Sequence, residues 1–319
     1  MNTLSSGNLI RHKATVEVMC KLNNPANLFH PREDSEGNFY VSSHSGEILR
    51  FNENGGIETL ITMSGQPNCL AFDGADLLYY ADLAQGSVNS FNLHNKDLSS
   101  NNLNVQNNEE KTIKEYEGTP LKGPTSIAYN REEEYLVFCD SGYFGTSSLN
   151  KPNGSLFIYD PQIKASRALL LNCLAHPSDL IIDFGRSSIY LCETFTNRII
   201  RIIQKDGIYN ASIFYQFSGR IGPSAIALDD TFGNLYIARY EFQNEEGDVD
   251  GIISVLNKDG NLMGELIIPK LPEITGLLIP SKNKDVLFFT EKNSNSVFKI
   301  KLSSFINELD KIEDNNKMY

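Results

Sequence analysis

Six stretches of the chain follow one plan. Each opens near a proline, runs through a short apolar strand, turns on Asp, Gly or Asn, and crosses a second apolar strand. Gly, Ser or Asn then leads into a third. The lead prolines are Pro25, Pro67, Pro124, Pro177, Pro223 and Pro272, half of the chain's 12. QPNCLAFDGADLLYYADLAQGSVNSF and HPSDLIIDFGRSSIYLCETFTNRIIRI show the pattern, and IETLITM, SRALLLNCL and LMGELIIP supply a fourth strand between units. A period of this length marks a unit that buries its faces against copies of itself. Four short antiparallel strands per unit, rich in β-branched and aromatic residues, make that unit a propeller blade. The chain is therefore expected to be all-β, a single six-bladed β-propeller of four antiparallel strands per blade.

Closing such a ring needs a strand from one terminus in the blade begun at the other. HKATVEVMCKL, His12 to Leu22, alternates well enough to be the outer strand of the last blade, Pro272 to Leu302. The expected organisation is a polar segment 1–11, a propeller 12–302 and a polar tail 303–319. The Asn-rich stretch 92–119 is expected to be a loop, having too little apolar content to pack.

Charge and cysteine usage narrow the function. Twenty-eight Lys and Arg against 40 Asp and Glu give a net charge of -12, which repels nucleic acid and anionic membrane alike. No apolar run is long enough to span a bilayer. Met1 to Ile10 lacks the basic start and apolar stretch of a secretory signal, so a cytoplasmic location is expected. The five cysteines form no CxxC pair and no Cys/His cluster, and read as reduced core thiols. GxSxG, HExxH, GxxxxGK and GxGxxG are all absent, which sets aside serine hydrolase, zincin, P-loop and dinucleotide-binding chemistry.

A propeller gathers residues that are far apart in sequence around one channel. Residues following the lead prolines form one ring: Ala26 and Asn27, Asn68, Thr125 and Ser126, Ser178 and Asp179, Ser224, and Glu273. The ends of the second strands form another: Ser43 and His44, Asp82, Asp140, Glu193, Arg239 and Glu291. Oxygen donors dominate both. Glu273, Asn68 and Asp179, with Ser126 or Thr125 between them, have the chemistry a hard divalent cation needs. The same side chains would also serve to cap backbone groups in the loops, as Asn, Asp, Ser and Thr commonly do.

GPTSIAYNREEEYLVFCDSGYFG, HPSDLIIDFGRSSIYLCETFTNRIIRI and NGSLFIYDP resemble the regucalcin, gluconolactonase and strictosidine-synthase-like superfamily of six-bladed propellers, over roughly Pro25 to Leu302. The resemblance implies hydrolysis of a small lactone or ester, assisted by a divalent cation, calcium in kind, in the central channel. It implies a glutamate at the first blade, where this chain has Ala26 and Asn27. Asn68 matches the Pro-Asn pattern, and Thr125 and Ser178 stand where Asn is expected, with Asp179 next. Counted cyclically from the last blade, Glu273 takes the glutamate role, Asn68 and Ser126 or Thr125 follow, and Ser178 or Asp179 takes the aspartate role. Asp140 would then be the rim base, with His176 and His44 behind it, or Glu273 would act alone as a base without metal. The alternative is a non-catalytic propeller that offers its acidic channel face, or the Asn-rich loop, to a protein partner.

Overall fold

The computed structural model describes residues 9–24, 26–75, 77–93, 109–219, 222–241 and 249–309. The chain starts with β1 (Ile10–Lys13) and β2 (Val16–Lys21). The first blade is β3 (Leu28–Glu33), β4 (Phe39–Ser43), β5 (Glu47–Phe51) and β6 (Ile57–Thr62). The second is β7 (Pro67–Phe72), β8 (Leu77–Asp82), β9 (Ser87–Asn92) and β10 (Glu109–Ile113). A short hairpin, β11 (Glu115–Tyr116) and β12 (Thr119–Pro120), leads to the third blade: β13 (Pro124–Asn130), β14 (Tyr135–Asp140), β15 (Gly154–Asp160) and β16 (Ala165–Leu174). The fourth is β17 (Pro177–Asp183), β18 (Ser188–Glu193), β19 (Arg198–Lys205) and β20 (Ile208–Gln216). The fifth is β21 (Pro223–Asp229), β22 (Asn234–Arg239), β23 (Gly251–Leu256) and β24 (Leu262–Ile268). The sixth joins β25 (Ile274–Leu278), β26 (Val286–Glu291) and β27 (Ser296–Lys301) to β2. The result is the expected six-bladed, all-β propeller closed by an N-terminal strand.

Burial explains the strand composition. Second strands are covered on both faces by neighbouring blades, so YLVFCD, SIYLCE and VLFFTE are buried at every position and read as continuous apolar runs instead of alternating. The outermost β20, IYNASIFYQ, has no fully buried position. Among the described residues the core divides into six apolar clusters. Each lies at one blade-to-blade interface; Tyr190 and Cys192 of the fourth blade, for example, meet Ile226 and Leu235 of the fifth. Cys20, Cys69, Cys139 and Cys192 are buried thiols, whereas Cys173 is exposed.

A belt of hydrogen bonds runs around the channel. Ser42 Oγ donates to Asn68 O (2.8 Å), and Asn68 Nδ2 donates to Thr125 O. Thr125 Oγ1 donates to Pro177 O (2.8 Å), and Ser178 Oγ to Pro223 O (3.1 Å). Ser224 Oγ donates to Ile274 O (2.8 Å), and Thr275 Oγ1 closes the circle on Leu28 O (2.7 Å). Every neighbouring pair of blades is thus joined, five times from an innermost strand and once, through Ser42, from the end of β4. Proline suits the first position of such a strand, because the ring removes an N–H that the open edge has no carbonyl to pair with.

The register corrects the sequence reading at two of the six prolines. Pro67, Pro124, Pro177 and Pro223 pair with Asp82, Asp140, Glu193 and Arg239. In the sixth blade that position is Ile274, opposite Glu291, and in the first it is Leu28, opposite Ser43. Pro272 therefore falls two residues early, Pro25 lies outside the described residues, and the counterpart of Asn68 in the sixth blade is Thr275, not Glu273.

The ring closure is also finer than expected. β2 pairs antiparallel with β27 from Val16↔Ile300 to Lys21↔Ser296, but His12 and Lys13 belong to β1, which lies parallel on β24 of the fifth blade. A helix over 303–309 then sets Phe305, fully buried, beside Gly264, where even a Cβ would lie 3.0 Å from the ring. His12 Nδ1 meets Glu308 Oε1 at 3.0 Å. Of the Asn-rich stretch, 94–108 lies outside the described residues, and Glu109–Ile113 supplies the fourth strand of the second blade. Among the described residues no helix is long and apolar enough to cross a membrane.

Removing one link tests the belt. Thr275→Val keeps the side-chain shape but leaves the Leu28 carbonyl unpaired, a cost of about 1–3 kcal/mol. Urea denaturation should show a lower midpoint at unchanged slope, whereas an unchanged midpoint would mean that the belt carries no stability.

Candidate active site in the central channel

At the channel mouth formed by the starts of the innermost strands lies a cavity of about 240 Å³. That is below the roughly 300–1,000 Å³ of drug-sized sites, so it suits a small ligand. His44, in the bend after β4, lies flat on Phe29, with ring centroids 3.9 Å apart and planes at 16°. Its Nε2 is 2.7 Å from Asn68 Oδ1. Because Asn68 Nδ2 donates to Thr125 O, Oδ1 is the acceptor side of that amide. His44 Nε2 must therefore carry the proton and donate it, leaving the lone pair on Nδ1. Burial lowers the His44 pKa and keeps the ring neutral.

Glu273 and Lys292 share the cavity, with Lys292 Nζ 3.2 Å from Glu273 Oε2. The backbone ties them too, Lys292 N donating to Glu273 O at 3.0 Å. On the far wall His176 sits at φ +59°, its ring between Phe144 (centroids 4.9 Å, 83°) and Phe195 (5.2 Å, 27°). Its Nδ1 is buried without a hydrogen-bond partner among the described residues, and burial lowers its pKa to about 4.

One layer deeper, the channel is plugged. Asp179 is fully buried, and its Oδ1 accepts from Ser126 Oγ (2.8 Å), Arg32 Nη2 (2.9 Å) and Leu180 N (2.9 Å). Its Oδ2 accepts from Ile226 N (3.0 Å) and lies 3.4 Å from His30 Nδ1. Burial alone would raise this carboxyl. The His30 ring and the Arg32 guanidinium outweigh burial and hold it well below the usual carboxylate range. Arg32 Nη2 also reaches Cys69 Sγ at 3.2 Å. Beyond the plug a second cavity, of about 670 Å³, opens at the other mouth along the Arg32 stem.

The sequence-predicted residues separate into three groups. Ser126 and Asp179 meet in the plug, and Asn68, Glu273 and His176 line the upper cavity. Asp140 lines neither. Its carboxylate accepts from Lys122 N (2.9 and 3.0 Å) and Gly123 N (2.8 Å), fastening the loop before β13, and burial raises its pKa. Asp82 does the same for Gln66 N and Glu193 for Ala175 N, so the carboxylates at the ends of the second strands are loop anchors.

The donors do not fit calcium. Asn68 Oδ1 is engaged by His44, Glu273 faces the Lys292 ammonium, and Asp179 is taken up by the Arg32 guanidinium and the Ser126 hydroxyl. Among the described residues the metal-ligating side chains that cluster are His30, Cys69 and Asp179, within 4.8 Å of one another. Imidazole and thiolate are softer ligands than calcium selects, and Arg32 Nη2 already contacts two of the three. Arg32 and Lys292 were not singled out from sequence. The available signal was the proline inside FHPRE, which marks a bulge in β3. The register there shifts between Phe29 and Arg32, His30 takes φ +39°, and Gly276 leaves room that a Cβ, 2.4 Å from His30 N, would fill.

A six-bladed propeller with a small cavity at one mouth of a plugged channel is the class this chain defines. No protein-family model and no curated protein sequence matches it. Solved structures of the same fold include a gluconolactonase from Xanthomonas campestris, 15% identical over 90% of this chain and 89% of that one, with TM-score 0.70. They also include a calcium-binding protein, regucalcin, from Agrobacterium tumefaciens, 13% identical over 91% and 95%, with TM-score 0.71. A luciferin-regenerating enzyme is 13% identical over 90% and 95%, with TM-score 0.71.

The plug makes a stability prediction with a definite sign. Arg32→Met strands a buried carboxylate and should cost about 3–5 kcal/mol near neutral pH, with part regained in Arg32→Met/Asp179→Asn. Asp179 is held below its unfolded value. Its contribution is therefore complete above about pH 4 and is lost as pH falls further. Denaturant titrations of the three chains across pH would show this; equal stability of the single variant and the native chain would contradict it.

Proposed function

We propose that the chain hydrolyses a small lactone or ester in the upper cavity, with His44 as general base and the Lys292 ammonium at the carbonyl oxygen. The observation that carries this reading is the His44–Asn68 hydrogen bond, which sets the tautomer and leaves a neutral imidazole with its lone pair on Nδ1. Water attacking the acyl carbon gives its proton to Nδ1, and Asn68 Oδ1 steadies the imidazolium through Nε2–H. Lys292 donates to the developing oxyanion, and Glu273 keeps the ammonium in place. Collapse of the tetrahedral adduct breaks the C–O bond, and the proton on His44 passes to the leaving oxygen, giving a hydroxy acid from a lactone. The gluconolactonase of like fold supports the substrate class. No step is assigned to a metal, because Lys292 and Arg32 hold the positions where cationic charge is needed.

His44→Gln should lower kcat by about 10²–10⁴-fold with little change in KM, and Lys292→Met by about 10²-fold. The lowered His44 pKa keeps the base neutral in mild acid. The acid limb of kcat/KM should therefore fall below the ordinary histidine value of about 6.5 and vanish in His44→Gln. Acid release from a panel of lactones and esters is the assay. No turnover of any member, or turnover unaffected by His44→Gln, would overturn the reading and leave a binding propeller.

A further inference from the structure

In a ring of six, the first and fourth blades face each other across the channel. The first contributes the flat Phe29/His44 stack. The fourth contributes His176, at its start, stacked on Phe195 with centroids 5.2 Å apart and planes at 27°. From the third blade, the loop between β14 and β15 brings Tyr143 and Phe144 to the mouth, 46% and 49% exposed. Phe144 stands edge-on to His176 at 83° and to Tyr240 at 79°. Gly142 at φ +70° and Gly145 at φ +90° flank this aromatic pair, conformations that glycine adopts without strain and that let the loop turn back over the channel.

Polar capacity in the cavity is limited in kind. The hydroxyl protons of Thr125, Ser178, Ser224 and Thr275 are committed to backbone carbonyls in the belt, so they are not free to donate to a ligand. Among the described residues the buried polar atoms of the cavity lining without a hydrogen-bond partner are ring nitrogens and a carboxylate oxygen, His176 Nδ1 on a residue 5% exposed, His30 Nδ1 and Glu273 Oε2; the last two lie 3.4 Å from Asp179 Oδ2 and 3.2 Å from Lys292 Nζ, which leaves His176 Nδ1 without a charged neighbour. The cavity thus has two π-walls, an aromatic lid and a short set of polar atoms, His44 Nδ1, His176 Nδ1 and the Lys292–Glu273 pair. It offers few donors to a ligand rich in hydroxyls.

We propose that the upper cavity selects a flat, unsaturated ring, an aryl-fused lactone or aryl ester, held between the Phe29/His44 and His176/Phe195 stacks under Phe144, in preference to a polyhydroxylated sugar lactone. Only the reaction rests on the hydrolytic reading above; the ligand class rests on the walls. Offset and edge-to-face ring contacts hold such a molecule, and His176 Nδ1 supplies a directional contact from the wall opposite His44. The ring enters flat, between the walls, with its ester group toward Lys292.

The test separates binding from turnover. Coumarin, whose conjugated lactone resists hydrolysis at neutral pH, is titrated calorimetrically into the purified full-length chain, alone and against glucono-δ-lactone; dihydrocoumarin is the turnover probe. Coumarin should bind with no competition from the sugar lactone. Phe144→Ala should weaken it by about tenfold, an effect of the size one aromatic contact carries. Phe144→Tyr should restore binding, and Leu149→Ala, on the same loop and 64% exposed, should leave it unchanged. Binding of the sugar lactone as tight as that of coumarin, an unchanged Kd in Phe144→Ala, or no binding of coumarin would each overturn the ligand class. Sugar-lactone hydrolysis without coumarin binding would sink this proposal and keep the hydrolytic reading. Coumarin binding without dihydrocoumarin turnover would do the reverse.

Discussion

Around the channel each blade gives one proton to the next blade's backbone, and the sixth returns one to the first. Those six hydrogen bonds, from Ser42 at the end of β4 and from Asn68, Thr125, Ser178, Ser224 and Thr275 on innermost strands, fix the rotation of each blade relative to its neighbours. The apolar clusters supply most of the burial free energy, but non-directional burial would tolerate sliding between blades. Directional bonds at the smallest radius do not. The belt also accounts for the chemistry of the channel wall, since the oxygens that ring it are largely committed to holding it together. What is left for a ligand is the set of groups the belt does not use: His44, His176, Glu273 and Lys292.

The second organising feature is charge. An acidic chain brings a carboxylate, Asp179, to the axis of its fold, where burial would neutralise it without a counter-charge. Arg32 supplies one from a bulge in β3, reaching Asp179 Oδ1 and Cys69 Sγ with the same nitrogen. A guanidinium is planar, permanently charged and richly supplied with donors, so it satisfies the plug without the bare carboxylates and carbonyls a hard metal requires. The upper cavity repeats the arrangement on a smaller scale with Lys292 on Glu273. Proteins that share this fold include one described as calcium-binding; in this chain the channel is organised by side-chain cations.

The ring was legible in the sequence because its cause is periodic. Strands covered on both faces must be apolar throughout, and six recurrences of that pattern behind a proline leave few architectures to consider. The site was only partly legible. Asn68, Glu273 and His176 line the cavity, and Ser126 and Asp179 meet, because innermost strands place their first residues on the axis. Equating Glu273 with Asn68 rests on Pro272 as the lead residue, whereas the sixth blade starts its innermost strand at Ile274. Asp140 looked like a rim base, and its oxygens instead hold Lys122 and Gly123, since a carboxylate at a strand end has orphan loop amides within reach. Arg32 escaped notice because a bulge changes which way a side chain points. No alternation pattern records that.

The central claim is that organic cations, Arg32 above all, supply the positive charge of this channel. Calorimetric melting of the native chain with and without millimolar calcium, after treatment with a chelator, tests it most directly, because an ion bound only by the folded state must raise the melting temperature. The account predicts the same melting temperature in both conditions. A calcium-dependent rise in the native chain that disappears in Asp179→Asn would contradict it.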